Sequence, residues 1–232
     1  MISKHIYSVG WEAEGGICLE DYDKIEQDPR FCGRVELGGD LSVDVRKSLN
    51  VSTNCYWKSN AEIKYWDYDF ERFKEFARTL FSLSFRQNST CGNHFHLRFK
   101  SLIYPSLFTL YEAQKMFIEK YIETYKDQKK YMARLNNNYS KAPEDINDII
   151  KNFYGPREFR YYAINFQSFF SHSYETLEFR IMPYARDANE LISQAEFIIT
   201  TVEEIISKFY KRSIKIDLKL NKVMRSVFKE VK

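Results

Sequence analysis

Hydrophobic and polar positions along the chain follow two periods. Period-two alternation marks the strands. In Cys91–Phe99, residues Phe95, Leu97 and Phe99 point one way and His94, His96 and Arg98 the other. Thr176–Met182 sets Leu177, Phe179 and Ile181 against Glu178 and Arg180. Ile6–Trp11 reads as a strand that ends in charge, with Glu12 and Glu14 on one face, and Gly15 and Gly16 turn the chain. Arg34–Val45 predicts a hairpin about Gly38 and Gly39, Ala61–Tyr65 a short strand and Phe159–Phe166 another; Ser48–Asn60 and Ser168–Glu175 read as connections. Helical spacing appears from Asp69, a capping residue ahead of Phe70, Phe73, Phe76, Ala77, Leu80 and Phe81. It returns over Tyr104–Leu135 with Pro105 at the start, over Glu144–Phe153, and from Asp187 to about Tyr210. Asn136–Pro143 reads as a loop, either a flap or a connector, and the tail from Ser213 as a strand and short helix.

Strands with one apolar and one charged face suit an antiparallel sheet, which often buries one face and leaves the other open. With the helices the expected class is α+β. The 232 residues fit one domain over 1–232 with a helical C-terminal region, 187–232. A hydrophobic share of 44% against 29% charged residues is that of a folded, soluble chain.

A net charge of +3 lacks the basic excess of a dedicated nucleic-acid binder, and no nucleic-acid partner is expected. No run of about 18 apolar residues marks a membrane span. There is no secretory signal, and the expectation is a cytoplasmic protein whose four cysteines are reduced thiols.

The open face carries the candidate chemistry: Glu12 and Glu14, Asp40 and Ser42, Glu62, His94 and His96, Glu178 and Arg180. Same-face carboxylates repel unless a cation lies between them. Several carboxylates with one or two imidazoles suit Mg²⁺ or Mn²⁺, and arginines beside them suit phosphate or carboxylate oxygens. A structural zinc site is disfavoured, since no Cys-x-x-Cys pair completes it. A histidine pair on a merely exposed sheet face is the plain alternative.

Taken in order, Gly10-x-Glu12-x-Glu14, Asp40-x-Ser42, Glu62, Cys91-Gly92-x-His94-x-His96, Arg160-(x)4-Asn165 and Thr176-x-Glu178-Phe179-Arg180 resemble the amidoligase family, of the glutamine synthetase and glutamate–cysteine ligase superfamily. The match spans Gly10 to Pro183; Asp44 could replace Asp40, and nothing between Leu107 and Gly155 maps to it. The resemblance implies a curved, mostly antiparallel sheet with helices on its outer face. It also implies an ATP-dependent carboxylate–amine ligase acting through an acyl phosphate on small-molecule or peptide carboxylates and amines, with ATP and Mg²⁺ or Mn²⁺ as cofactors. It assigns Glu12, Glu14, Asp40, Glu62, His94 and Glu178 to metal, and His96, Ser42 and Arg98 to the nucleotide. Arg160, Arg180 and Asn165 it assigns to catalysis. The same residues leave open an inactive nucleotide- or metal-binding relative, or a metal-dependent phosphoesterase or nuclease. Oligomer formation is compatible with either reading.

Overall fold

The computed structural model describes residues 2–45, 55–100, 107–155, 160–167 and 175–227. The expected helix start at Pro105, most of the expected turn over 168–175 and the first residue of the expected strand at Phe159 lie outside them. The class is α+β: the described residues form six strands in one antiparallel sheet and six helices. The chain runs β1 (Ile6–Cys18), α1 (Leu19–Glu26), β2 (Val35–Gly39), β3 (Trp57–Asp67), α2 (Phe70–Ser82) and β4 (Gly92–Phe99). It continues through α3 (Leu107–Tyr125), α4 (Lys129–Leu135), α5 (Ile146–Tyr154), β5 (Ile164–Asn165), β6 (Thr176–Pro183) and α6 (Ala188–Val227). The sheet order is β2-β3-β1-β4-β6-β5.

Alternation sets the two faces. Val9, Trp11 and Ala13 of β1, Ala61, Ile63 and Tyr65 of β3, and Phe95 and Leu97 of β4 are buried together. Helix α2 lies on them because Asp69 caps it, accepting from the Glu71 N–H, and because Phe73, Phe76, Ala77 and Leu80 fall on one side. Trp11 meets Phe73 and Phe76 edge-on, and Tyr65 stacks on Phe76 with centroids 3.8 Å apart. Phe117 of α3 covers Phe179 of β6, and Phe197 of α6 packs against Phe117 and Tyr121. The N-terminal end of β1 is tied to α6 by His5 Nδ1 and Glu203, 2.7 Å apart. One polar group on the apolar side is fully paired. Asn93 accepts from Trp11 Nε1 and Gln87 Nε2, and donates to the Pro183 carbonyl and Gln194, locking β4, β6 and α6 together.

Several expectations are corrected. Gly38 and Gly39 do not turn a hairpin: they end β2, which pairs with β3 (Gly38 opposite Glu62), because β3 begins at Trp57 and offers eleven residues of edge. The expected helix over 104–135 is broken between Tyr125 and Lys129, where the Gln128 N–H bonds the Tyr125 carbonyl. Helix α5 starts at Ile146 rather than Glu144, because Asp145 caps it by accepting from the Asn147 and Asp148 N–H groups. The strand over 159–166 shrinks to two residues, because the Ala163 N–H is drawn to Lys141. The tail from 213 continues α6 rather than forming a strand. Finally, Cys18 and Cys55 are joined as a disulfide, with Cα atoms 5.9 Å apart, so two of the four cysteines expected as thiols are not free. Cys32 and Cys91 are free. Among the described residues no helix is long and apolar enough to cross a membrane.

Candidate functional site

The polar face collects its charge at the centre of the sheet because four strands, β1, β3, β4 and β6, are in matching phase. Glu12 on β1 stands opposite His94 on β4 and opposite Lys64 on β3. Glu14 stands opposite Glu62, and His96 opposite both Gly10 and Glu178. Asn165 on β5 extends the row at Glu178. Glu12, Glu14, Glu62, His94, His96, Asn165, Glu178 and Arg180 thus converge on one face.

The imidazoles sit between the carboxylates. His94 Nδ1 is 3.7 Å from Glu12 and 3.5 Å from Glu178, and its Nε2 is 3.7 Å from Glu14. His96 Nε2 is 3.5 Å from Glu12. These are ion-pair separations, longer than hydrogen bonds, and His94 Nδ1 and His96 Nε2 are buried without a hydrogen-bond partner. One ligand atom each from Glu12, His96 and Glu178 lie within 4.8 Å of one another. Thr176 Oγ1 lies 3.1 Å from the other nitrogen of His96 and fixes its ring.

Electrostatics follow this packing. Burial alone would raise the Glu12 carboxyl, but His94 and His96 outweigh it and hold that carboxyl far below the usual range. Burial likewise opposes ionisation of Glu178, yet Arg180, His96 and His94 lower its pKa. Burial and then repulsion from Glu12 push Glu62 up. His96 is raised: burial works against its charge, and Glu12 and Glu178 prevail.

A second group flanks the cluster. Arg180 pairs with Glu178 through Nη1 and donates from Nε to the Tyr139 carbonyl (3.3 Å), so the 136–143 loop lies against the site. Asn165 Nδ2 donates to the other oxygen of Glu178 at 2.6 Å. Arg160 and Arg180 both lie over the ring of Tyr161, at 5.2 and 5.5 Å from its centroid, and Arg160 Nε is buried without a partner.

Three residues expected in the site stand apart from the cluster. Asp40 is at the edge beyond β2, where its Oδ1 accepts from the Ser42 N–H and hydroxyl; its charge contributes only the smallest of the influences on Glu62. Ser42 is exposed. Arg98 is exposed on the rim and pairs with Glu175 at 2.6 Å. Two cations not expected there join the site. Lys64 reaches Glu12 at 3.2 Å and Glu62 at 3.7 Å, and alternation with Glu62 was its signal. Arg134 arrives from α4 with no signal in the local sequence. Comparison with protein-family models, with curated proteins and with solved structures finds no match for this chain.

Proposed function

We propose that the polar face is the active site of an ATP-dependent carboxylate–amine ligase with a glutamine synthetase-like core, as the motif order suggests. The observation that carries this reading is the pair of buried, partnerless imidazole nitrogens aimed at Glu12 and Glu178. That donor set fits a hard divalent cation, and Glu12, Glu14, Glu62, His94, His96 and Glu178 are the residues that would hold it. Mg²⁺ or Mn²⁺, when bound, supplies charge neutralisation for a transferred phosphoryl group. The chain's own groups do the rest. Arg180 is oriented by Glu178 and Tyr139, so its guanidinium is preorganised toward developing negative charge. Asn165 holds Glu178 in place. Arg160 keeps a buried donor free for an incoming oxyanion. The carboxylate and amine substrates are small molecules or peptides in this reading, and the location is cytoplasmic.

Incubation with ATP, Mn²⁺ or Mg²⁺ and pooled carboxylates and amines should release ADP and phosphate only when both substrate classes are present. No ADP release under any combination sinks the ligase reading. The ion pairs of Lys64 with Glu12 and of Arg180 with Glu178 favour a second reading, a metal- or nucleotide-binding relative without turnover, in which internal cations already balance the carboxylates. A rise in melting temperature with ATP and Mn²⁺ but no ADP release would select it.

A further inference from the structure

Gly92 leaves room that another residue fills. A Cβ built there would stand 2.7 Å from Arg134 Nη2, 3.3 Å from its Cζ and 3.4 Å from Glu14 Oε2. Gly92 is in phase with His94 and His96 on β4, so its absent side chain would point to the polar face. The guanidinium of Arg134, carried by α4, therefore reaches that face over the Gly92 backbone, beside Glu14 and one residue pair from His94. Nη2 donates to the Arg180 carbonyl at 2.8 Å, which anchors it. Nε is buried and has no hydrogen-bond partner. Among the described residues no carboxylate oxygen lies within 4.0 Å of the group. Burial presses its pKa down, against the field of Glu14. A guanidinium anchored at one nitrogen, desolvated at another and, among the described residues, out of ion-pair range of Glu14 or any other carboxylate is costly to hold in place, and an arriving anion offsets that cost.

We propose that Arg134 is an oxyanion-binding residue of this site, and that position 92 is glycine to admit it. The ligand atom is an oxygen of a phosphoryl or carboxylate group. This rests on the reading of the polar face as the ligand-bearing one, but not on the ligase reaction itself. The competing role is a brace, in which Arg134 serves only to hold the Arg180 carbonyl.

The test is calorimetric titration of the 232-residue chain, in excess Mg²⁺, with tripolyphosphate and separately with succinate. Arg134→Gln should weaken one probe about 10- to 100-fold, the range for hydrogen bonds to charged groups. Gly92→Ala leaves the charge in place and displaces only the flexible tip of Arg134. It should weaken the same probe, and the double variant should bind no more weakly than Arg134→Gln alone. Loss confined to tripolyphosphate identifies phosphoryl oxygens, and loss confined to succinate identifies a carboxylate. The proposal is overturned if Arg134→Gln binds both probes as the parent does, even with a lowered melting temperature, or if the parent binds neither. If ATP is not turned over but the probe dependence persists, the ligase reading falls and Arg134 keeps its role.

Discussion

Glu178→Gln is the substitution whose cost can be worked most directly from the structure. Glu178 is 4% exposed and Arg180 8%. One carboxylate oxygen holds Arg180 Nη1, and the other accepts from Asn165 Nδ2. A glutamine keeps the shape and one acceptor but removes the charge, so Asn165 can keep its partner while Arg180 loses its counterion. What remains to Arg180 is the Tyr139 carbonyl and the face of Tyr161. Removing one member of a buried pair typically costs about 3–5 kcal/mol. Relief of repulsion with Glu12 offsets part of this, and the lower end of the range is expected. Urea unfolding should show a lower midpoint at an unchanged m-value, and thermal unfolding a drop of about 10 °C. Adding Arg180→Met to Glu178→Gln should recover part of the loss, with a coupling on the order of 0.5–3 kcal/mol. A loss below about 1 kcal/mol, with no coupling to position 180, is the behaviour of a solvated surface pair and would refute the argument.

Thiol counting tests the cysteine chemistry. At pH 8 the native protein should react at Cys32 alone, since burial pushes the Cys91 thiol up to about 11 and Cys18 and Cys55 are paired; a native count of three or four would remove the disulfide. Reducing that bond, which joins residues 37 apart in sequence, should cost about 4 kcal/mol on the chain-entropy estimate, read as a lower urea midpoint. Glu190 gives an acid-limb prediction. Burial alone would raise its carboxyl, but Lys130 (2.5 Å) and Arg186 lower it below its unfolded value. Its contribution is therefore complete above the unfolded pKa of about 4.3 and is lost as pH falls through the lower folded value. Glu190→Gln should lie below the parent in melting temperature at neutral pH and converge on it in acid; curves that stay parallel down to acid pH would contradict this. Phe76→Ala empties a fully buried position between Tyr65, Trp11 and Phe31 and should cost about 3–5 kcal/mol in urea unfolding; a cost under about 1 kcal/mol would mean that α2 collapses into the space.

Where the sequence was legible, the signal was local. Strand β4 alternates with large side chains on one side and imidazoles on the other, and only one assignment of faces buries Phe95 and Leu97. Helix α2 carries its own cap and stripe. The phase of Glu12, His94 and Glu178 followed from the same alternation, which is why these residues could be named together before their strands were paired. What stayed hidden depends on distance along the chain. Nothing near Gly38 says that its partner is Glu62 rather than the residues just after it. The Lys141–Tyr162 bridge cuts β5 short from outside the strand. Cys18 and Cys55 look like any two cysteines until β1 and β3 align their ends. Arg134 sits in an ordinary amphipathic turn, and only the empty volume at Gly92, 42 residues earlier, gives it a place in the site.

The sheet order has a consequence for how the protein comes into being. The first strand made, β1, ends up with neighbours on both sides, β3 and β4, and neither is its immediate successor in the chain. During vectorial synthesis Glu12 and Glu14 leave the ribosome long before His94, and longer still before Glu178. One edge of β1 stays unpaired until β3 is made and the other until β4 is made, leaving a Val- and Trp-bearing strand open to wrong partners. Closure requires joining residues 39–58 and then 80–93 positions apart, which selects for slow folding governed by non-local contacts. A nascent chain halted before β4 should therefore be a strong client for chaperones, and one halted after β6 a weak one.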